Sequence, residues 1–225
     1  MQILLHNFVL KKIKEIKKNR IKILVSGGNS LKYLLHNLSK KKFSWGLVDL
    51  YLTDERFLSK NSSLLNYKII KKFFIKNYAK NINFYSFTNN PKGIVLKDIR
   101  SRYKNNKFDL AILGMGLDGH LASIFPNMKD FYKIISHKKK PNIFITENLG
   151  KPFCKRITMN LSFILRSKEV ILILSNKKKL KFYKDVLHIS NKRSRIPIVH
   201  LNLLKNKNLI LANEKKILDK KFIAK

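Results

Sequence analysis

The chain has a single cysteine, Cys154, among 225 residues, which excludes an intramolecular disulfide and a shared thiolate metal centre. A reducing compartment, by default the cytoplasm, is the expectation. Long apolar runs are lacking too. None approaches the roughly 20 residues of a membrane-spanning helix, so no membrane partner is expected. The N-terminal "MQILLHNFVLKKIKEIKK" places its charges after a short apolar stretch, the reverse of a secretory signal. Repeats and linkers are missing as well. With 44% hydrophobic residues to build a core, the reading is one domain over residues 1–225.

Acidic residues are the scarcest charged type, 13 against 49 Lys and Arg, for a formal net charge of +36. Such a balance invites a nucleic-acid reading. The distribution argues against it: "KKIKEIKK", "SKKKF", "IIKKFFIK", "HKKKP" and "NKKKLK" are spread along the chain rather than gathered on one stripe. Lys, Asn and Ile are abundant together and share A/T-only codons. We read the bias as base-composition drift and expect neighbouring proteins from the same genome to be equally basic. No nucleic-acid partner is expected, although a positive field draws small anions toward a cleft.

What is present is an alternation of strands and helices. "FVLKKIKEIKK" puts Phe8, Val9, Ile13 and Ile16 near helical spacing, and "IKILV" then reads as a short buried strand ending at "SGG". Ser30 is placed to cap a helix through His36 and Leu38. "LVDLYLT" is a second strand, and "LLNYKIIKKFFI" is helical, with Leu65, Ile69 and Phe73 four apart. A loop around "FTNNPKG" precedes a helix carrying Val95, Ile99 and Tyr103. The strand "FDLAILG", a Gly-rich loop and a short helix ended by Pro126 follow. Beyond an exposed "SHKKKPN" loop, "IFITE" is a short strand, "EVILILS" a strand buried on both faces and "KKLKFYKDVLHI" an amphipathic helix. "IPIVHL" and "LILAN" close the chain as strands. The fold class is therefore α/β, a mostly parallel sheet with helices on both faces. Ligands of such sheets bind beyond the carboxyl ends of the strands, the edge shared by the loops after Val25 and Leu113.

Three loops carry chemistry. In "SGGNS", Ser26, Gly27, Gly28, Asn29 and Ser30 form a turn whose N–H groups and following helix suit a phosphate. The spacing matches neither the dinucleotide fingerprint nor the P-loop, and a plain turn is the alternative. "GMGLDGH" puts Asp118 and His120 on either side of Gly119, where a carboxylate can orient an imidazole that exchanges a proton near neutral pH. The alternative is a loop histidine beside a capping aspartate. "TDERF" sets Asp54, Glu55 and Arg56 directly after an apolar strand, as part of a site or as a surface salt-bridge cluster.

"SGGNS", "TDERF" followed by Asn66, "LGMGLDGHLASIFP" and "KRITM" resemble, in this order and over nearly the entire chain, the 6-phosphogluconolactonases. The resemblance implies a Rossmann-like, doubly wound fold shared with glucosamine-6-phosphate deaminases. It also implies a cytosolic, metal-free and cofactor-free hydrolase that opens 6-phosphoglucono-1,5-lactone to 6-phosphogluconate in the oxidative pentose phosphate pathway. By the same resemblance His120 is the base that activates water, while Arg56, Arg156 and the loop from Ser26 to Ser30 surround the sugar phosphate. Asp118 orients His120 or holds a sugar hydroxyl, and Asp54 and Glu55 hold a hydroxyl or fix Arg56. The chain departs from the family pattern at Ser30 and Leu31, where Thr-Pro is usual, and at Ser59 and Leu65, where Pro and Ser are usual. Asn176 replaces the Gly three residues before Lys179, a further phosphate ligand. Two rival readings are a deaminase, whose motif continues "AFNEP" where this chain has "ASIFP", and a sugar-phosphate binder without turnover.

Overall fold

A computed structural model of the chain describes residues 4–87, 96–103, 105–202, 208–213 and 215–218. Helix α1 (Leu5–Lys14) leads into β1 (Ile21–Val25), α2 (Lys32–Ser39), β2 (Val48–Leu52), β3 (Asp54–Arg56), α3 (Asn66–Phe73) and β4 (Asn83–Tyr85). There follow α4 (Leu96–Tyr103), β5 (Phe108–Gly114), α5 (Phe131–Ile135), β6 (Ile143–Ile145), β7 (Arg156–Met159) and α6 (Leu161–Ile164). Strand β8 (Ser167–Ile173), α7 (Lys177–Val186), α8 (Pro197–Asn202) and β9 (Asn208–Ala212) complete the order. Among the described residues, no helix is long and apolar enough to cross a membrane.

The apolar runs become one six-stranded sheet in the order β4-β2-β1-β5-β8-β9, with every pair parallel. Leu24, Val25, Leu113 and the whole of Val170 to Ile173 are fully buried, as strands covered on both faces require. Helix α1 covers the sheet through Leu5, Val9 and Ile13, four residues apart, and turns its lysines outward. Strand order runs from β1 toward β2 and β4 on one side, and from β5 toward β8 and β9 on the other. Winding therefore reverses between β1 and β5, and the loops leaving these two strands diverge to open a crevice.

A second sheet, antiparallel and ordered β3-β7-β6, is not announced by the sequence pattern. Thr53 joins it to the first. Its N–H donates to the Val25 carbonyl and its own carbonyl accepts from Met159 N–H, both at 3.0 Å. The charged "DER" stretch is thus a strand over the crevice rather than a loop after one.

Three expectations are corrected. "IPIVHL" is helix α8, because Pro197 brings a φ suited to the first helical position and Ile198, Val199 and Leu201 all turn inward. The helix expected before Pro126 does not form: Ala122 has a φ of 51°, outside the right-handed helix, and Ser123 N–H is drawn to Thr158 Oγ1 at 3.2 Å. Ser30 does not cap α2. Gly28 precedes a short 3-10 turn, Asn29–Leu31, and the Ser30 hydroxyl points elsewhere. Val95 and residues 88–93 of the expected loop lie outside the described residues.

Candidate active site

The loop after β1 is fastened to β5. Ser26 N–H donates to the Ile112 carbonyl at 3.0 Å, and Ser26 Oγ accepts from Gly114 N–H at 2.8 Å. This fixes Gly27 and Gly28 at the crevice wall, where among the described residues their N–H groups meet no acceptor. Lys179, in the first turn of α7, reaches over to donate to Ser30 Oγ at 2.7 Å. Burial lowers its pKa, with the Asp118 charge opposing. Asn176, which stands where a Gly is usual, caps α7 by accepting Lys179 N–H at 3.0 Å from an extended backbone, so no glycine is required there.

The loop after β5 sets an imidazole. Asp118 Oδ1 accepts from His120 Nδ1 at 2.6 Å and from His120 N–H at 3.2 Å. Burial works to raise the Asp118 pKa, but the hydrogen bonds and charge of His120 outweigh it and hold the carboxyl below its ordinary value. With Nδ1–H given to an ionised carboxylate, the neutral form of the ring carries its lone pair on Nε2. Phe125 backs the ring, with centroids 4.4 Å apart. Gly116 leaves the room for this pair, since a Cβ there would fall 2.0 Å from His120 Nδ1 and 2.5 Å from Asp118 Oδ1.

The second sheet supplies the third wall. Antiparallel pairing of β3 with β7 places Arg56 directly opposite Arg156. Like charges at such positions repel. Neither finds a carboxylate partner among the ion pairs of the described residues. Arg56 Nη1 donates to the Leu64 carbonyl at 2.5 Å, while Arg156 Nε and Nη2 donate to those of Leu149 and Pro152 at 3.1 and 3.0 Å. Arg156 is almost fully buried over the Phe125 ring at 5.1 Å. Burial, with the Arg56 charge, lowers its pKa, and the Asp54 carboxylate opposes this.

Asp54 and Glu55 have different surroundings. Asp54 lines the crevice and accepts from Thr53 Oγ1 at 2.9 Å and from Ser123 Oγ at 2.6 Å, tying β3 to the loop of His120. Glu55 is fully buried, and its oxygens accept the N–H groups of Arg56, Asn66 and Tyr67 at 2.7, 2.7 and 2.8 Å. A carboxylate so occupied cannot hold a sugar hydroxyl. It caps α3 and steadies the backbone of Arg56, and the surface salt-bridge alternative for "TDERF" falls with it.

Ser26, Gly27, Gly28, Asn29, Ser30, Asp54, Arg56, Asp118, His120, Arg156 and Lys179 all line one cleft of about 630 Å³. Asn66, Phe125 and Lys151 line it too, beyond the site residues expected from the sequence. Asn66 had a signal, its fixed distance from "TDERF". Lys151 had none.

A family model for glucosamine-6-phosphate isomerases/6-phosphogluconolactonase matches residues 3–210. The 6-phosphogluconolactonase of Helicobacter pylori strain 26695 is 30% identical over 168 residues, 72% of this chain and 70% of that one. That of Thermotoga maritima is 27% identical over 176 residues, 76% of each chain. The crystal structure of a 6-phosphogluconolactonase from Shewanella baltica shares the fold, with a TM-score of 0.82 and 24% identity over 93% of this chain and 91% of that one. With its switch-point cleft and its motifs in sequence order, this chain belongs to the glucosamine-6-phosphate isomerase/6-phosphogluconolactonase family.

Proposed function

We propose that the protein is a 6-phosphogluconolactonase, a hydrolase that opens 6-phospho-D-glucono-1,5-lactone to 6-phospho-D-gluconate with His120 as general base. The observation that carries this reading is one cleft holding both a carboxylate-oriented imidazole and several cations that, among the described residues, form no ion pair with a carboxylate. Such a site suits a small anionic substrate that needs a proton removed from water. His120 Nε2 takes a proton from water as its oxygen adds to the lactone carbonyl. The tetrahedral intermediate then collapses, the bond from C1 to the ring oxygen breaks, and the imidazolium returns its proton to that oxygen. Gly27 and Gly28 N–H, Lys179, Arg56 and Arg156 hold the phosphate, so that attack occurs within a fixed complex.

A deaminase reading is disfavoured by Phe125, which stands between His120 and Arg156 where that chemistry uses a carboxylate. The test is hydrolysis of freshly made 6-phosphogluconolactone beside release of ammonia from glucosamine 6-phosphate, with spontaneous hydrolysis subtracted. Turnover of the lactone alone is expected. Phosphate binding without turnover of either compound would leave a sugar-phosphate binder instead.

A further inference from the structure

Lys151 is an exposed residue lining the cleft, and among the described residues its ammonium has no hydrogen-bond or ion-pair partner. The backbone around it is, by contrast, held at several points. Leu149 N–H donates to the Cys154 carbonyl at 3.1 Å, closing the loop, and the Arg156 guanidinium binds the Leu149 and Pro152 carbonyls that bracket Lys151. Gly150, at a φ of 69°, brings the loop down onto this support: a Cβ there would lie 2.6 Å from Phe125 and 2.9 Å from Arg156 Nη2. The loop therefore stands on the Phe125–Arg156 stack that also backs His120.

We infer that Lys151 is a direct contact for the substrate phosphate, brought into the cleft by a loop that Arg156 fastens. The inference rests on the lactonase reading. The acids lining the cleft are committed, Asp54 to Thr53 and Ser123 and Asp118 to His120. An opposite charge for this ammonium has to arrive with the ligand, and the only charge on the lactone is its phosphate. A flexible ammonium on an anchored backbone suits that task, since it is a compact point charge that adjusts to the anion. Arg156 then acts twice, through its remaining N–H donors and through the placement of Lys151.

The test uses the full chain, with steady-state kinetics on fresh 6-phosphogluconolactone and on the unphosphorylated lactone, and with inorganic phosphate as competitor. Turnover by the wild type checks the lactonase reading by itself. Lys151→Ala is then expected to raise KM for the phosphorylated lactone and to weaken phosphate inhibition, each by about tenfold, the scale of one charge-assisted contact. It should leave kcat and use of the unphosphorylated lactone within about twofold. Lys151→Arg should recover most of the loss. In the Arg156→Ala background, Lys151→Ala should cost little more, because the loop is already released. Unchanged phosphate inhibition in Lys151→Ala, or fully additive losses in the double variant, would overturn the inference. So would a loss confined to kcat, which would put the ammonium at the reacting carbonyl.

Discussion

In the proposed mechanism His120 is the base, and the Asp118 carboxylate, 2.6 Å from Nδ1, orients the ring. His120→Ala should lower turnover by about two to four orders of magnitude, with phosphate binding retained. His120→Asn should do no better, because an amide accepts no proton from water. Asp118, held below its ordinary pKa, stays ionised and keeps its hold on Nδ1. Gly116→Ala tests the same pair from the backbone side. Its methyl would land on Nδ1, so turnover should fall about as far as in His120→Ala, while near-ultraviolet circular dichroism stays native. At this scale the sequence marked the pair: Asp118 and His120, on either side of Gly119, meet side by side in the cleft. Lys151 was illegible because its place depends on Arg156 reaching back over the loop, which no local spacing records.

Elements show where sequence patterns run out. Strands β1, β2, β5 and β8 were readable because each is an apolar run long enough to be buried on both faces. Strand β3 has three residues, all charged, and its partner β7 lies about a hundred positions away, so neither hydrophobic period nor local turn chemistry announces it. Helix α8 looks like a strand in sequence because Ile, Pro, Ile, Val resembles alternation, whereas the proline sets a helical start. The N-terminus of α3 gives a prediction at this scale. Burial pushes the pKa of Glu55 up to about 7 from an ordinary 4.5, although the three N–H groups it accepts pull the other way. The folded state then holds the proton more tightly than the unfolded chain. The associated stability is complete below about 4.5 and is lost as pH rises through about 7. Chemical denaturation of the wild type should show this decline across that window. Glu55→Gln, less stable throughout because its amide opposes an N–H donor, should lack that slope; parallel pH dependences would refute the assignment.

Across the whole molecule, 13 carboxylates face 49 basic side chains, and Asp49, Asp54, Glu55 and Asp109 are buried. The surface is thus more one-sided than the composition alone suggests. Added salt should lower kcat/KM for the phosphorylated lactone more than kcat, because screening weakens capture of an anion. It should also raise the melting temperature from low to moderate ionic strength as self-repulsion is relieved. A flat salt response on both measurements would show that the charge has no such reach. The winding reversal between β1 and β5 has a further consequence, for the order of events during refolding. The cleft draws on residues from Ser26 to Lys179, and its α7 wall is positioned only after β8 has paired with β5 across a long separation in sequence. Non-local parallel pairing is slow to form. After dilution from denaturant, far-ultraviolet ellipticity should recover first and lactone hydrolysis only after a lag, and a chain ending before β8 should recover no activity at all.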